Sequence, residues 1–211
     1  MKNFILLLGP AIMIFIGLQL FNSVRITFCL FYGWLLVIPM SIKITICKEK
    51  KVSLSSSIIL GTVSGLLCGA AFLITCSLFL TKLFDLESLK SQLIEWNFSG
   101  SHVFLLVFIL VFINPLLEEM YWRTFMLNML KETIGPAKSI LVTAFFYSLY
   151  HLLSLIPMFV WPFPIVAALP VFLAGVLWGI FKEKTGTNTA SIISHIFADL
   201  AIMFVYLLFI R

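Results

Sequence analysis

The chain has 211 residues, of which 62% are hydrophobic and 11% charged, with a mean hydropathy of +1.13. An ordinary soluble domain is about 45–50% apolar and about 25% charged, and a single core of this size cannot bury such an excess. The composition argues against a soluble enzyme, a disulfide-framework domain and a nucleic-acid-binding module, and assigns the chain to a lipid bilayer. The net charge of +5, from 14 Lys and Arg against 9 Asp and Glu, does not imply nucleic acid here. Basic residues of membrane proteins collect on the cytoplasmic face and meet anionic lipid there.

A helix needs about 20 mostly apolar residues to cross a hydrocarbon core of about 30 Å. Seven stretches qualify: 4–21, 25–46, 56–80, 103–122, 139–157, 160–181 and 189–210. Lys2 followed by Phe4 to Leu8 looks like the start of a signal peptide. No small-residue cleavage site follows, and Phe21-Asn22-Ser23-Val24 reads as a turn, so this stretch is expected to stay as a first span. Pro10 in the first span, and Pro164 and Pro170 in the sixth, predict kinks. The longest polar interval, 81–102, carries Phe84, Leu86, Leu89, Leu93 and Trp96 at near-helical spacing, which predicts a helix lying in the interface plane. There is no repeat, low-complexity tract or linker. The expected fold is therefore all-α, one integral membrane domain over 1–211 built as a polytopic bundle of about seven spans.

Cys29, Cys47, Cys68 and Cys76 show no CxxC or Cys/His spacing, and three of them lie in apolar runs, so they read as apolar filling. Counting alternate loops, one side holds Lys2, Lys43, Lys48, Lys50, Lys51, Arg123, Lys131, Lys138, Lys182 and Lys184. The other holds only Arg25, Lys82, Lys90 and Arg211. The positive-inside rule then puts the N-terminus in the cytoplasm and the C-terminus outside. A chain this compact suggests a bacterial plasma membrane more than an endoplasmic reticulum.

Ionisable groups within spans cost about 2.5–3.5 kcal/mol each on insertion scales, so each needs a reason. Glu118 and Glu119 stand near the end of the fourth span with Arg123 just beyond, His151 in the fifth, and His195 and Asp199 in the seventh. Glu119 and Arg123 are i, i+4 neighbours and can pair, leaving Glu118 about 100° around the helix and facing elsewhere. Adjacent carboxylates near lipid repel one another and resist desolvation, which suits a general base. The same three charges could instead snorkel as interfacial anchors. Tyr147 and His151 share a helix face, where the histidine is either a catalyst or a satisfied core residue. His195 and Asp199, again i, i+4, must look into the bundle or a wet cavity. Together these groups are an inventory for activating water against a carbonyl.

The pattern Glu118-Glu119-x-x-x-Arg123, Tyr147-x-x-x-His151 and His195-x-x-x-Asp199, in that order on successive helices, resembles the CPBP intramembrane proteases. That family includes the type II CAAX prenyl endopeptidases and the Abi-like proteins linked to bacteriocin self-immunity. The resemblance covers about 103–210, the expected catalytic core. Two positions depart from the pattern: Tyr147 stands where the family commonly has Phe, and Asp199 where the prenyl endopeptidases carry Asn. An Asn amide can donate to an oxyanion, whereas an ionised Asp repels it, so Asp199 is either protonated or serves to orient His195.

The resemblance implies that Glu118 and His151 hold and deprotonate a water, that His195 with Asp199 stabilises the oxyanion, and that Glu119 and Arg123 brace the site. No cofactor is needed in that scheme. The rival scheme binds Zn2+ through Glu118, His151 and His195, although no HExxH is present. The implied substrates are a prenylated C-terminal tail, a pheromone or bacteriocin-type precursor peptide, or a membrane protein cut within its span. Gly61-Thr62-Val63-Ser64-Gly65 has the wrong spacing for a rhomboid nucleophile, and no YD…GxGD pair exists. A non-catalytic alternative stays open, either a proton-relay transporter or a peptide-binding immunity scaffold.

Overall fold

The computed structural model describes residues 2–42 and 52–211. Cys47, Lys43, Lys48, Lys50, Lys51 and the last residues of the expected second span lie outside the described residues. Among the described residues the chain is all-helical and has no strand. Seven helices are long and apolar enough to cross a membrane: α1 Asn3–Leu20, α2 Val24–Ser41, α3 Leu54–Leu83, α5 Val103–Ile134, α6 Pro136–Leu155, α7 Phe163–Thr185 and α8 Thr189–Ile210. A short helix, α4, spans Leu86–Glu95. The chain is an integral membrane protein with a polytopic helix-bundle fold.

Local chemistry explains where these helices start and stop. Ser23 caps α2 and Ser53 caps α3, each side chain accepting from a backbone N–H three residues on. Asp85 caps α4 by accepting from Ser88 N and Oγ. Gly135, at φ +78°, ends α5, and Pro136 begins α6 at the position where a missing N–H costs nothing. Gly186 in the left-handed region ends α7. Pro10 has no N–H for the carbonyl of Leu6, and the hydroxyl of Tyr121 on α5 donates to that carbonyl instead at 2.6 Å. Trp34 Nε1 in turn donates to the Tyr121 hydroxyl at 2.9 Å, so one tyrosine ties α1 and α2 to α5.

One end of the bundle gathers the turn at 21–23, α4 and its flanks, and the connection 156–162. Val24 N donates there to Trp96 O, and Val160 N to Leu83 O, both at 3.0 Å. Phe84, Leu89, Leu93 and Trp96 are buried against the bundle at this end. The opposite end gathers the α5–α6 and α7–α8 turns and the start of α3, where Val52 N donates to Thr185 O at 3.1 Å.

The most intimate helix pair is α3 with α8. A Cβ on Gly61 would stand 2.6 Å from Ala190 O, and one on Gly65 would stand 2.7 Å from Phe197 Cβ. Small residues one turn apart let two membrane helices approach backbone to backbone. Ser64 Oγ then reaches Ser194 Oγ at 3.1 Å, next to His195.

Arg123 does not lie beyond the fourth span: α5 runs on to Ile134, and Arg123 is fully buried inside it. A hydropathy window stops at the charges Glu118, Glu119 and Arg123. The helix continues because the last two neutralise each other. Without Arg123 the loop tally of basic residues becomes nine against four.

Candidate active site

Four helices converge at mid-bundle, and the imidazole of His195 is at the centre. Its Nδ1 donates to Oε1 of Glu119 at 3.3 Å. Its Nε2 faces Oε2 of Glu118 at 3.7 Å, Oδ2 of Asp199 at 3.5 Å and the Tyr147 hydroxyl at 3.4 Å. The indole of Trp178 stacks on the same ring, with centroids 4.1 Å apart and planes 17° from parallel. His195, Glu118, Glu119 and Tyr147 are all at most 2% exposed.

Both glutamates therefore meet one imidazole, which revises the expectation that Glu118 faces elsewhere. Residues 100° apart on α5 straddle a ring presented edge-on, one carboxylate at each ring nitrogen. Immediately after Glu119 the helix widens into a π-helical stretch, Met120–Met126, a local geometry frequent at functional sites.

Glu119 pairs with Arg123, Oε2 to Nε at 3.2 Å, and both side chains are wholly buried. The guanidinium lies over the faces of Tyr147 and Trp178, at 5.2 and 5.8 Å from the ring centres, a cation–π arrangement that suits a desolvated cation. Its two terminal nitrogens have no hydrogen-bond acceptor among the described residues. An uncompensated charge here would be costly, so each member of the pair holds the other in its ionised form.

His151 occupies a different place. Its Nδ1 donates to the backbone carbonyl of Tyr147 at 2.9 Å, which leaves Nε2 with a free lone pair. The ring packs on Tyr147 and Tyr150 at 4.5 and 4.4 Å between centroids. No hydrogen bond or ion pair joins it to Glu118 or His195 among the described residues. Tyr147 stands between the two histidines. The sequence-named residues thus form one tight group, Glu118, Glu119, Arg123, His195 and Asp199, with His151 across a tyrosine from it.

Among the described residues no group of three or more His, Cys, Asp and Glu side chains is arranged to hold a metal ion.

Several participants escaped the sequence reading. Asn188, the residue just before α8 and seven before His195, donates through Nδ2 to Glu119 O at 3.0 Å and to Thr124 Oγ1 at 2.8 Å. Those two acceptors are five residues apart, the span of one π-helical turn, so the amide bridges the first turn of the widened segment. The i, i+7 spacing to His195 was the available signal. Trp178, Tyr150 beside the Glu118 carboxyl and Asn114 beside Asp199 lie in apolar runs and gave none.

Comparison with known families supports the same segment. Residues 100–201 match the family model described as type II CAAX prenyl endopeptidase Rce1-like. That segment is similar to the Rce1-like family. It contains all six candidate site residues, from Glu118 to Asp199. No curated protein and no solved structure matches the chain.

Proposed function

We propose that this Rce1-like chain is an intramembrane endopeptidase that hydrolyses a peptide bond with a glutamate-activated water, and that 103–210 is its catalytic core. The observation that supports this is the convergence of two carboxylates on His195 Nε2. Glu118 Oε2 and Asp199 Oδ2 have no hydrogen-bond partner among the described residues, yet both aim at Nε2 from 3.5–3.7 Å. Carboxylate oxygens without a hydrogen-bond donor of their own are acceptors that a substrate water can use.

In this reading Glu118 takes a proton from the water as its oxygen bonds to the scissile carbonyl carbon. The oxyanion that develops meets Nε2–H of His195, whose positive charge is supported from behind by Glu119 on Nδ1. Collapse of the tetrahedral species breaks the C–N bond, and Glu118 passes its proton to the leaving amine. Arg123 keeps Glu119 ionised and oriented. Asp199 acts on His195 and does not donate to the oxyanion. We give His195 the place beside the water that family resemblance gives to His151, and assign His151 to the substrate backbone through its free Nε2. The candidate substrates are a prenylated tail or a precursor peptide.

The test is a termini-resolved proteomic comparison of membranes from cells carrying wild type or Glu118→Gln. New termini that vanish in the variant at equal expression are the expected result. Identical termini would remove Glu118 from the chemistry and favour a relay or peptide-binding role.

A further inference from the structure

Exposure around the site changes in one direction on three separate helices. On α5, Asn114 is 8% exposed, Glu118 one turn on is 1%, and Trp122 one turn further is 0%. On α8, Asp199 is 17% exposed, His195 is 2% and Ser191 is 0%. On α6, His151 is partly exposed, Tyr147 is 1% and Thr143 is 0%. These helices do not run in the same direction, yet in each the least buried member is the one nearer the end that carries α4 and 156–162. In each, the member nearer the opposite end is sealed. There Arg123, Trp178 and the Asn188 bridge to Glu119 close the floor.

The two ends also differ in charge. In the sequence's alternate-loop count, Arg25, Lys82, Lys90 and Arg211 fall on the side of the α4 end and the other nine loop Lys and Arg on the opposite side. By the positive-inside rule the sealed end is cytoplasmic and the open end is not.

We propose that the site admits substrate only from the non-cytoplasmic face, so that its substrates are exported peptides or the outward-facing stretches of membrane-anchored precursors. A peptide arriving from that face meets Asp199, Asn114 and His151 first and reaches the Glu118–His195 pair one turn deeper. A tail held in the cytoplasm meets the sealed floor. This inference rests on the endopeptidase reading for its substrate but not for its entrance.

Two readouts keep those parts separate. In full-length protein whose native cysteines are replaced, Asn114→Cys, Ser191→Cys and Thr187→Cys are exposed to a charged, membrane-impermeant thiol reagent, in intact cells and in inverted vesicles. Cys at 114 is expected to react in intact cells only, at 187 in inverted vesicles only, and at 191 in neither. Reaction at 114 confined to inverted vesicles, no reaction there from either side, or reaction at 191 would overturn the entrance, whatever the catalytic role of Glu118. In the proteomic comparison, Glu118-dependent cuts are expected in exported or outward-facing segments. Cuts confined to cytoplasmic tails would overturn this proposal while leaving the endopeptidase intact.

Discussion

The two histidines of the site sit about one tyrosine apart and live in opposite conditions. His195 is sealed, stacked on Trp178, bonded to Glu119 and faced by two further carboxylates. His151 is partly exposed, keeps one backbone bond and leaves its other nitrogen free. A group with fixed partners in a dry setting is preorganised, so electrostatic stabilisation of a transition state belongs with His195. A group at the mouth with a spare lone pair is suited to meeting something that arrives. Sequence spacing treats the two as equals; burial and partners separate them.

Removing the brace of the sealed half has the largest expected effect. Arg123→Ala takes the guanidinium from the buried Glu119 carboxylate and leaves it the contact with His195, a change of up to about 3–5 kcal/mol in comparable pairs. The variant is expected to lose activity and unfold at markedly lower temperature in detergent; a wild-type melting curve would show that the pair carries little. Crowding the α3–α8 contact comes next. Gly65→Val drives a side chain into Phe197 and the Ser194 backbone, costing about 1–3 kcal/mol by overpacking and displacing His195. Lower thermal stability and slower cleavage should appear together. Tyr147→Phe probes the one polar group between the histidines. It keeps the ring contacts with both and removes only the hydroxyl near Nε2, so cleavage should fall by no more than roughly tenfold, the scale of one neutral hydrogen bond. A larger loss would put that hydroxyl into the chemistry.

The smallest effect lies outside the membrane. Asp85 caps α4, and its bonds to Ser88 hold its carboxyl below the usual carboxylate range. A folded-state pKa that is depressed stabilises above the unfolded value, about 3.9, and the contribution is lost as pH falls through the folded value. Asp85→Asn should therefore weaken the dependence of α4 hydrogen-exchange protection on pH below about 4 and leave it nearly unchanged at neutral pH. An unchanged acid profile would remove Asp85 from the cap.

Much of this was legible in the sequence because the membrane makes charge expensive. Runs of about 20 apolar residues fixed the seven spans to within a few positions, except where Glu118, Glu119 and Arg123 interrupted α5 and cut the expected span short. The same expense made those residues conspicuous as site candidates. Contacts between non-adjacent helices were not legible. Nothing in the spacing says that Glu118 and Glu119 share one imidazole, that Trp178 stacks on it, or that Asn188 bridges the π-helical turn, because these depend on how α5, α7 and α8 pack. Asn188 came nearest to being visible, as a polar residue two turns from His195.

The most direct test sets the two histidines against each other. With a substrate identified from Glu118-dependent termini, cleavage is measured for purified wild type, His195→Gln and His151→Gln in lipid nanodiscs, each checked for a wild-type melting curve. The account predicts that His195→Gln lowers kcat by about 10²–10⁴-fold, the range for a group acting in the transition state, whereas His151→Gln acts mainly on KM. The reverse pattern, with kcat lost at His151 and kept at His195, would contradict it.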